Sequence, residues 1–378
     1  MKIEQSDALY RDPYHFLDLG LASGDNVIEF PGGSHFLTSV EDAKAVLANK
    51  EQNYAPHSDF FFTKNGLFGP RSRQVDIARA AIKLLHNHYL QHKTLLAPLV
   101  ESSLTGRTQW PDSGNWLIYQ FLRSALINQP QMKNTFKYVD LIVRRSVFSG
   151  ARSQFSWWRR MVFRHKALRA LKAEVQARLR HKSVHSDVLD AVIQHCNDDV
   201  PVMDMVEVFL SFLFASAGSV GFALSWSLYL QGRHPAAQVD NKEWVVLEAL
   251  RLWPVAWNLT RLPLKDHTLP SGLKVSVDDT IVACPYASQR NPAQWQDASE
   301  FMPQRWCDAD LRRNLIAFGW GEHKCVAANL TLLIVTDVLQ IISQYRSEYQ
   351  FVETRPLAQA ALAPPAFELC LHKKTEAA

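Results

Sequence analysis

From about residue 71 to 235 the apolar positions recur at helical spacing almost without pause. The breaks fall near "TGRTQWPDSGN", "NQPQ", "FSGARSQ" and "CNDDVP". Before this block, "NVIEFPGGSHFLT" (26–38) predicts two short strands around a Pro-Gly-Gly turn. "SVEDAKAVLANK" then predicts a helix, with Ser39 as N-cap and Asp42 three residues on. "NKEWVVLEALRL" (241–252) predicts another, stopped by Pro254. After Pro254 short β-like runs lie between Pro, Gly and Asp, followed by a last helix near 326–345 and a weak β tail. The pattern predicts one mainly α domain over 1–378, with a minor β part.

One stretch needs a decision. From Val208 to Leu230 there is no charge for 23 residues. That length can span a bilayer. Five serines and two glycines interrupt it, and no second such run exists. A helix buried inside a large soluble domain is the favoured reading, and no transmembrane anchor is expected.

Composition narrows the class. The chain has 378 residues, 47% hydrophobic and 21% charged, with a net charge of +4. This fits a soluble protein with a sizeable core. It argues against a nucleic-acid partner. Five cysteines at wide spacings, without a CxxC, argue against a disulfide framework or a structural zinc site and fit a reducing cytoplasm.

Candidate chemistry centres on "AFGWGEHKCVAANL" (317–330). A free cysteine is most often a small buried hydrophobe. Here Gly319 and Gly321 permit a tight turn and close backbone approach, and Cys325 lies just before an apolar helical pattern, where backbone N–H groups favour a thiolate. Four-ligand zinc fits poorly. A haem iron with one thiolate needs only this loop. In "EALR", Glu248 and Arg251 share a helix face among apolar neighbours, which predicts a buried pair. Arg305 in "FMPQRW" is a second arginine in the same region.

These three motifs, in this order, resemble the cytochrome P450 family of haem-thiolate monooxygenases. The family's loop FxxGxHxCx(G/A) is matched by Phe318, Gly321, His323, Cys325 and Ala327, its ExxR helix by Glu248 and Arg251, and its PERF/W segment by Pro303, Gln304, Arg305 and Trp306. The resemblance runs from about residue 12 to 352. It implies the mainly α P450 fold with a small β-sheet region, and haem b (iron protoporphyrin IX) as cofactor. Cys325 is then the axial thiolate, Phe318 packs beside the sulfur, and His323 reaches a propionate. Glu248, Arg251 and Arg305 form a structural triad. Arg79 matches a propionate-binding arginine, although Val75 stands where the family has His or Trp. Arg261 matches a further propionate partner.

The uncharged run becomes the helix crossing the haem. There Ala215 falls on the pocket side, and Gly218 and Ser219 stand at the acid and threonine positions that serve proton delivery. A serine hydroxyl can still donate and accept, whereas Gly218 relays a proton only through water. Ser219 as a merely small residue is the equal alternative. Gly218 and Gly221 are expected to kink this helix. Trp257 falls where the family lines its pocket, with core packing as the alternative. Between Pro235 and Glu248 only about one turn replaces the family's two helices.

The implied activity is oxidation or hydroxylation of an organic substrate with dioxygen and electrons from a ferredoxin- or flavodoxin-type donor, in secondary metabolism. The alternatives are peroxide-driven, desaturating, coupling or rearranging chemistry, or a non-catalytic recruitment module. Residues 144–182 carry about fourteen basic residues, histidines included, against one acid. A solvated face is the favoured reading. Docking of an acidic carrier protein with a tethered substrate, helped by Trp157 and Trp158, is the sharper one. His88 and His92, an i, i+4 pair beside His86, are expected on a solvated helix. The protein is expected to be a cytoplasmic monomer.

Overall fold

The computed structural model describes residues 12–30, 33–58, 60–147, 156–181, 186–196, 200–353, 356 and 361–374. The predicted break "FSGARSQ" lies outside these residues, as does the "NDD" of "CNDDVP". Contacts gather into two compact units, each built from separate chain segments.

The first unit comprises 1–57, 226–328 and 353–365. Its centre is a four-stranded sheet in the order Val27–Phe30, Ser34–Leu37, Thr280–Ala283, Leu259–Arg261. The first pair is the predicted hairpin, closing at Phe30 opposite Ser34. Ser34–Leu37 then runs parallel to Thr280–Ala283, so a long crossover joins them. The Val40–Ala48 helix follows directly, and the Ser39 hydroxyl accepts from the Asp42 N–H at 3.3 Å as its cap. Its apolar face, Val40, Ala43 and Leu47, packs with Ala283 and Ile316. The Pro13–Ala22 helix was not anticipated. Its signals are present, however: Asp12 caps the His15 N–H and Pro13 occupies the first turn.

The second unit comprises 58–225, 329–352 and 366–378 and is mostly helical. Its longest elements are Arg71–His92 and Trp157–His181. "GRTQW", predicted as a break, is a strand, Gly106–Trp110, beside Phe367–Lys373, and the Thr108 hydroxyl donates to the Leu369 carbonyl at 2.8 Å. The tail is a regular hairpin, Tyr345–Phe351 with Phe367–Lys373, in which Phe367, Leu369 and Leu371 alternate inward.

The uncharged run belongs to one continuous helical stretch, Val202–Arg233, long and apolar enough to cross a membrane. Its most apolar window is 72% buried within the protein, as the buried-helix reading requires.

Candidate active site

The cysteine loop starts from two glycines. Gly319 and Gly321 adopt φ of +71° and +70°, in the left-handed region where a side chain is strained. At Gly321 a Cβ would also stand 2.7 Å from the Ala48 Cα, so the loop presses directly on the Val40–Ala48 helix. The chain then doubles back. The Cys325 N–H donates to the Phe318 carbonyl at 2.8 Å. The Ala327 N–H points at the sulfur, and the helix Ala328–Ile342 follows. Cys325 is exposed, although the loop crowds its sulfur. Burial pushes the thiol pKa up, while the Ala327 N–H and the Lys324 ammonium pull it down. The donor set is one sulfur, oriented by backbone, with a half-buried aromatic ring at Phe318.

Behind the loop lies a fully paired buried network. Arg251 uses all five of its N–H groups. Nε and Nη2 grip Glu248 at 3.0 and 2.9 Å, Nη1 reaches the carbonyls of Gln289 and Ala298, both at 2.7 Å, and Nη2 that of Glu300 at 3.0 Å. Glu248 accepts three further donors: Arg305 Nε at 3.0 Å, Met302 N–H at 3.0 Å and Trp306 Nε1 at 2.9 Å. Burial pushes the Arg251 pKa down, and Glu248 counters it. Gln289, which the motifs do not flag, connects the network to the cysteine loop. Its amide nitrogen donates to the Arg251 carbonyl at 3.0 Å, and its oxygen accepts the Ile316 N–H at 2.8 Å.

In the second unit, the apolar helix leaves α geometry at Phe214–Ser219, a π-helical turn that contains Ala215, Gly218 and Ser219. The expected kink is thus a local widening. Asn115, on the Asp112–Leu126 helix, is fully buried against it. With its amide nitrogen turned toward the turn, the orientation that satisfies both ends, Asn115 donates to the carbonyls of Ala217 and Gly218, each at 3.2 Å. Gly221 makes this approach possible, because a Cβ there would fall 2.0 Å from the Asn115 Oδ1 position.

A family model for cytochrome P450 matches residues 242–370, the stretch that holds the Glu248–Arg251–Arg305 network and the cysteine loop. Over this stretch the chain is similar to the cytochrome P450 superfamily. Two solved P450 structures share the fold over nearly the whole chain. The haem domain of cytochrome P450DA has a TM-score of 0.73 and 15% identity, covering 96% of this chain and 93% of that one. A substrate-free P450 of Mycobacterium marinum has a TM-score of 0.70 and 17% identity, covering 97% of each. Among curated relatives, pentalenene oxygenase of Streptomyces avermitilis is 27% identical over 54% of this chain and 57% of its own length. Rat mitochondrial 25-hydroxyvitamin D-1 alpha hydroxylase (Rattus norvegicus) is 28% identical over 44% and 40%. An alkane hydroxylase of Arabidopsis thaliana is 31% identical over 37% and 33%. The chain therefore spans roughly a third to three-fifths of the length of these relatives.

The P450 family implies a haem-iron cofactor, and the residues present fit one. A single sulfur stands on a glycine-built loop with a backbone N–H directed at it, and no cluster of three or more His, Cys, Asp or Glu that could hold another metal occurs among the described residues. Other predicted partners are more dispersed. His323 is half-buried at the end of the Gly321–His323 turn. Arg261 is buried, with Nη1 on the Thr260 carbonyl at 2.7 Å, two residues beyond Leu259, which lies against Gly319. Arg79 belongs to the second unit, is 77% exposed and faces Asp76 at 4.0 Å. Trp257 sits in an aromatic cluster, 5.2 Å from Tyr14 and 6.4 Å from Phe36 between ring centroids, which favours packing. His88 binds the Phe121 carbonyl at 2.7 Å and His92 the His88 carbonyl at 3.0 Å, so both are structural.

Proposed function

We propose that this chain is a haem-thiolate oxidoreductase that oxidises or hydroxylates an organic substrate. The observation that carries the proposal is the Cys325 loop, with its thiol oriented by the Ala327 N–H and braced through Gln289 by the Arg251 network. Bound iron protoporphyrin IX supplies dioxygen activation and transfer of one oxygen atom to substrate. The chain's own residues do the rest. Cys325 holds the iron. The Phe318 ring keeps water from the sulfur. His323, Arg261 and Arg79 bind propionates.

Ser219 holds a proton at its hydroxyl for delivery, while Gly218 leaves room for water in place of the usual acid. The relatives are named as oxygenases and hydroxylases, which supports the same reaction class and a place in secondary metabolism. Electrons come from a ferredoxin- or flavodoxin-type donor. Residues 1–378 act as one P450 domain, in a cytoplasmic monomer. A carrier-tethered substrate is the finer form of the proposal, supported by the exposed Trp157 and Trp158 on the basic helix.

The substitution at Gly218 favours one second reading, peroxide-driven or non-hydroxylating chemistry. Ser219→Ala separates the two. If Ser219 delivers protons, the variant releases several-fold more hydrogen peroxide per electron pair consumed, with haem content unchanged. Unchanged coupling assigns Ser219 to packing and favours the second reading.

A further inference from the structure

A cavity of about 1060 Å³ opens within the second unit, between the helices Thr135–Ile142, Trp157–His181 and Val202–Leu213 and the Phe62–Leu67 hairpin. That is the size of a generous small-molecule site. Its wall is apolar, formed by Phe62, Leu141, Ile142, Val162, Phe163 and Phe214. Phe62 and Val162 are more than half exposed, so water covers apolar surface that a ligand would bury.

All but one of the charges around this wall are positive. Lys64, Lys137, Arg145, Arg159, Arg164 and Lys166 line it together with Arg160. The only carboxylate among the lining residues is Glu207, which already accepts the Lys64 backbone N–H at 2.7 Å. The Arg145 guanidinium lies 5.3 Å over the Phe163 ring, on the apolar wall itself. A solvated basic face accounts for the cations but not for an open apolar cleft beneath them. A neutral apolar ligand accounts for the cleft but leaves the cations to repel one another.

We propose that this cavity binds a free long-chain carboxylate. Its alkyl chain lies along the Leu141, Phe163 and Phe214 wall. Its carboxylate is held by the arginines of the Trp157–His181 helix, whose planar forks match a carboxylate. The inference does not depend on the assignment of Cys325, because every lining residue lies in the second unit.

The test is equilibrium dialysis of the purified full chain against radiolabelled palmitate, with cetyl alcohol as the neutral analogue. Palmitate binds saturably at one site, at least tenfold tighter than the alcohol, and weakens as salt is raised. Arg159→Gln with Arg164→Gln weakens palmitate at least tenfold. Arg169→Gln with Lys172→Gln, on the same helix but off the cavity, leaves it unchanged. All four positions are exposed, so the fold is retained. Absence of saturable palmitate binding, equal affinity for the alcohol, or insensitivity to the Arg159/Arg164 pair would each overturn the proposal.

Discussion

Arg251→Leu is expected to cost about 3–5 kcal/mol of stability, a large share of a domain's net stability. The reason lies in the completeness of the pairing. Five N–H groups disappear together, and three backbone carbonyls, those of Gln289, Ala298 and Glu300, lose a donor in the interior. Glu248 keeps Arg305, Met302 and Trp306 as donors but loses its fully buried countercharge. Arg251→Lys should fare little better, since one ammonium with three donors cannot serve five acceptor oxygens. Urea titration of soluble protein measures the loss. A variant within about 1 kcal/mol of the parent would mean that the network is dispensable. Because Gln289 links this network to Ile316, haem retention should fall along with stability.

Arg178→Leu is the second large effect, and it should depend on pH. Arg178 is buried among three carboxylates. Nε meets Glu174 at 2.9 Å, and Nη1 meets Asp187 and Asp190, both at 2.8 Å. Glu174 also accepts the N–H groups of Gln131 and Met132, so this charge cluster ties the 128–135 connection to the long helix. Burial pushes the Glu174 pKa up but is outweighed by Arg178 and those N–H groups, leaving it below its usual value. At Asp187 burial wins, and the carboxyl sits above its usual value even with Arg178 beside it. Removing Arg178 pushes the Glu174 and Asp187 carboxyls up, because the countercharge beside them is lost. A carboxyl raised in the folded state contributes stability below its unfolded pKa and loses it as pH rises through the folded one. The deficit should therefore be about 3–5 kcal/mol near pH 8 and smaller near pH 5. Denaturant curves at the two pH values decide it, and a deficit independent of pH would contradict this account of the cluster.

The sequence made local chemistry plain and distant packing obscure. Cys325 and its two glycines lie within one short loop, and Glu248 and Arg251 within one helical turn, so spacing alone brings them together. Gln289 and Asn115 act across long separations, and a buried amide leaves no periodic mark. The sign available for Asn115 was its partner: Gly221 is a glycine inside an otherwise apolar helix, where close approach of another backbone is the usual reason. Glu174 and Arg178 fall inside the basic run read as a solvated face, and only the folded chain shows both fully buried. "GRTQW" read as a break because its partner strand, Phe367–Lys373, is supplied from the far end of the chain.

The proposed haem chemistry rests on Cys325 as the iron ligand. The most direct measurement is the absorption spectrum of the reduced protein under carbon monoxide, for the parent and for Cys325→Ser. The parent should give the red-shifted band of a thiolate-ligated haem carbonyl, and the variant should lose that band while its far-ultraviolet circular dichroism stays helical. A parent that lacks the thiolate band although haem is bound, or a variant that keeps it, would contradict the assignment of Cys325.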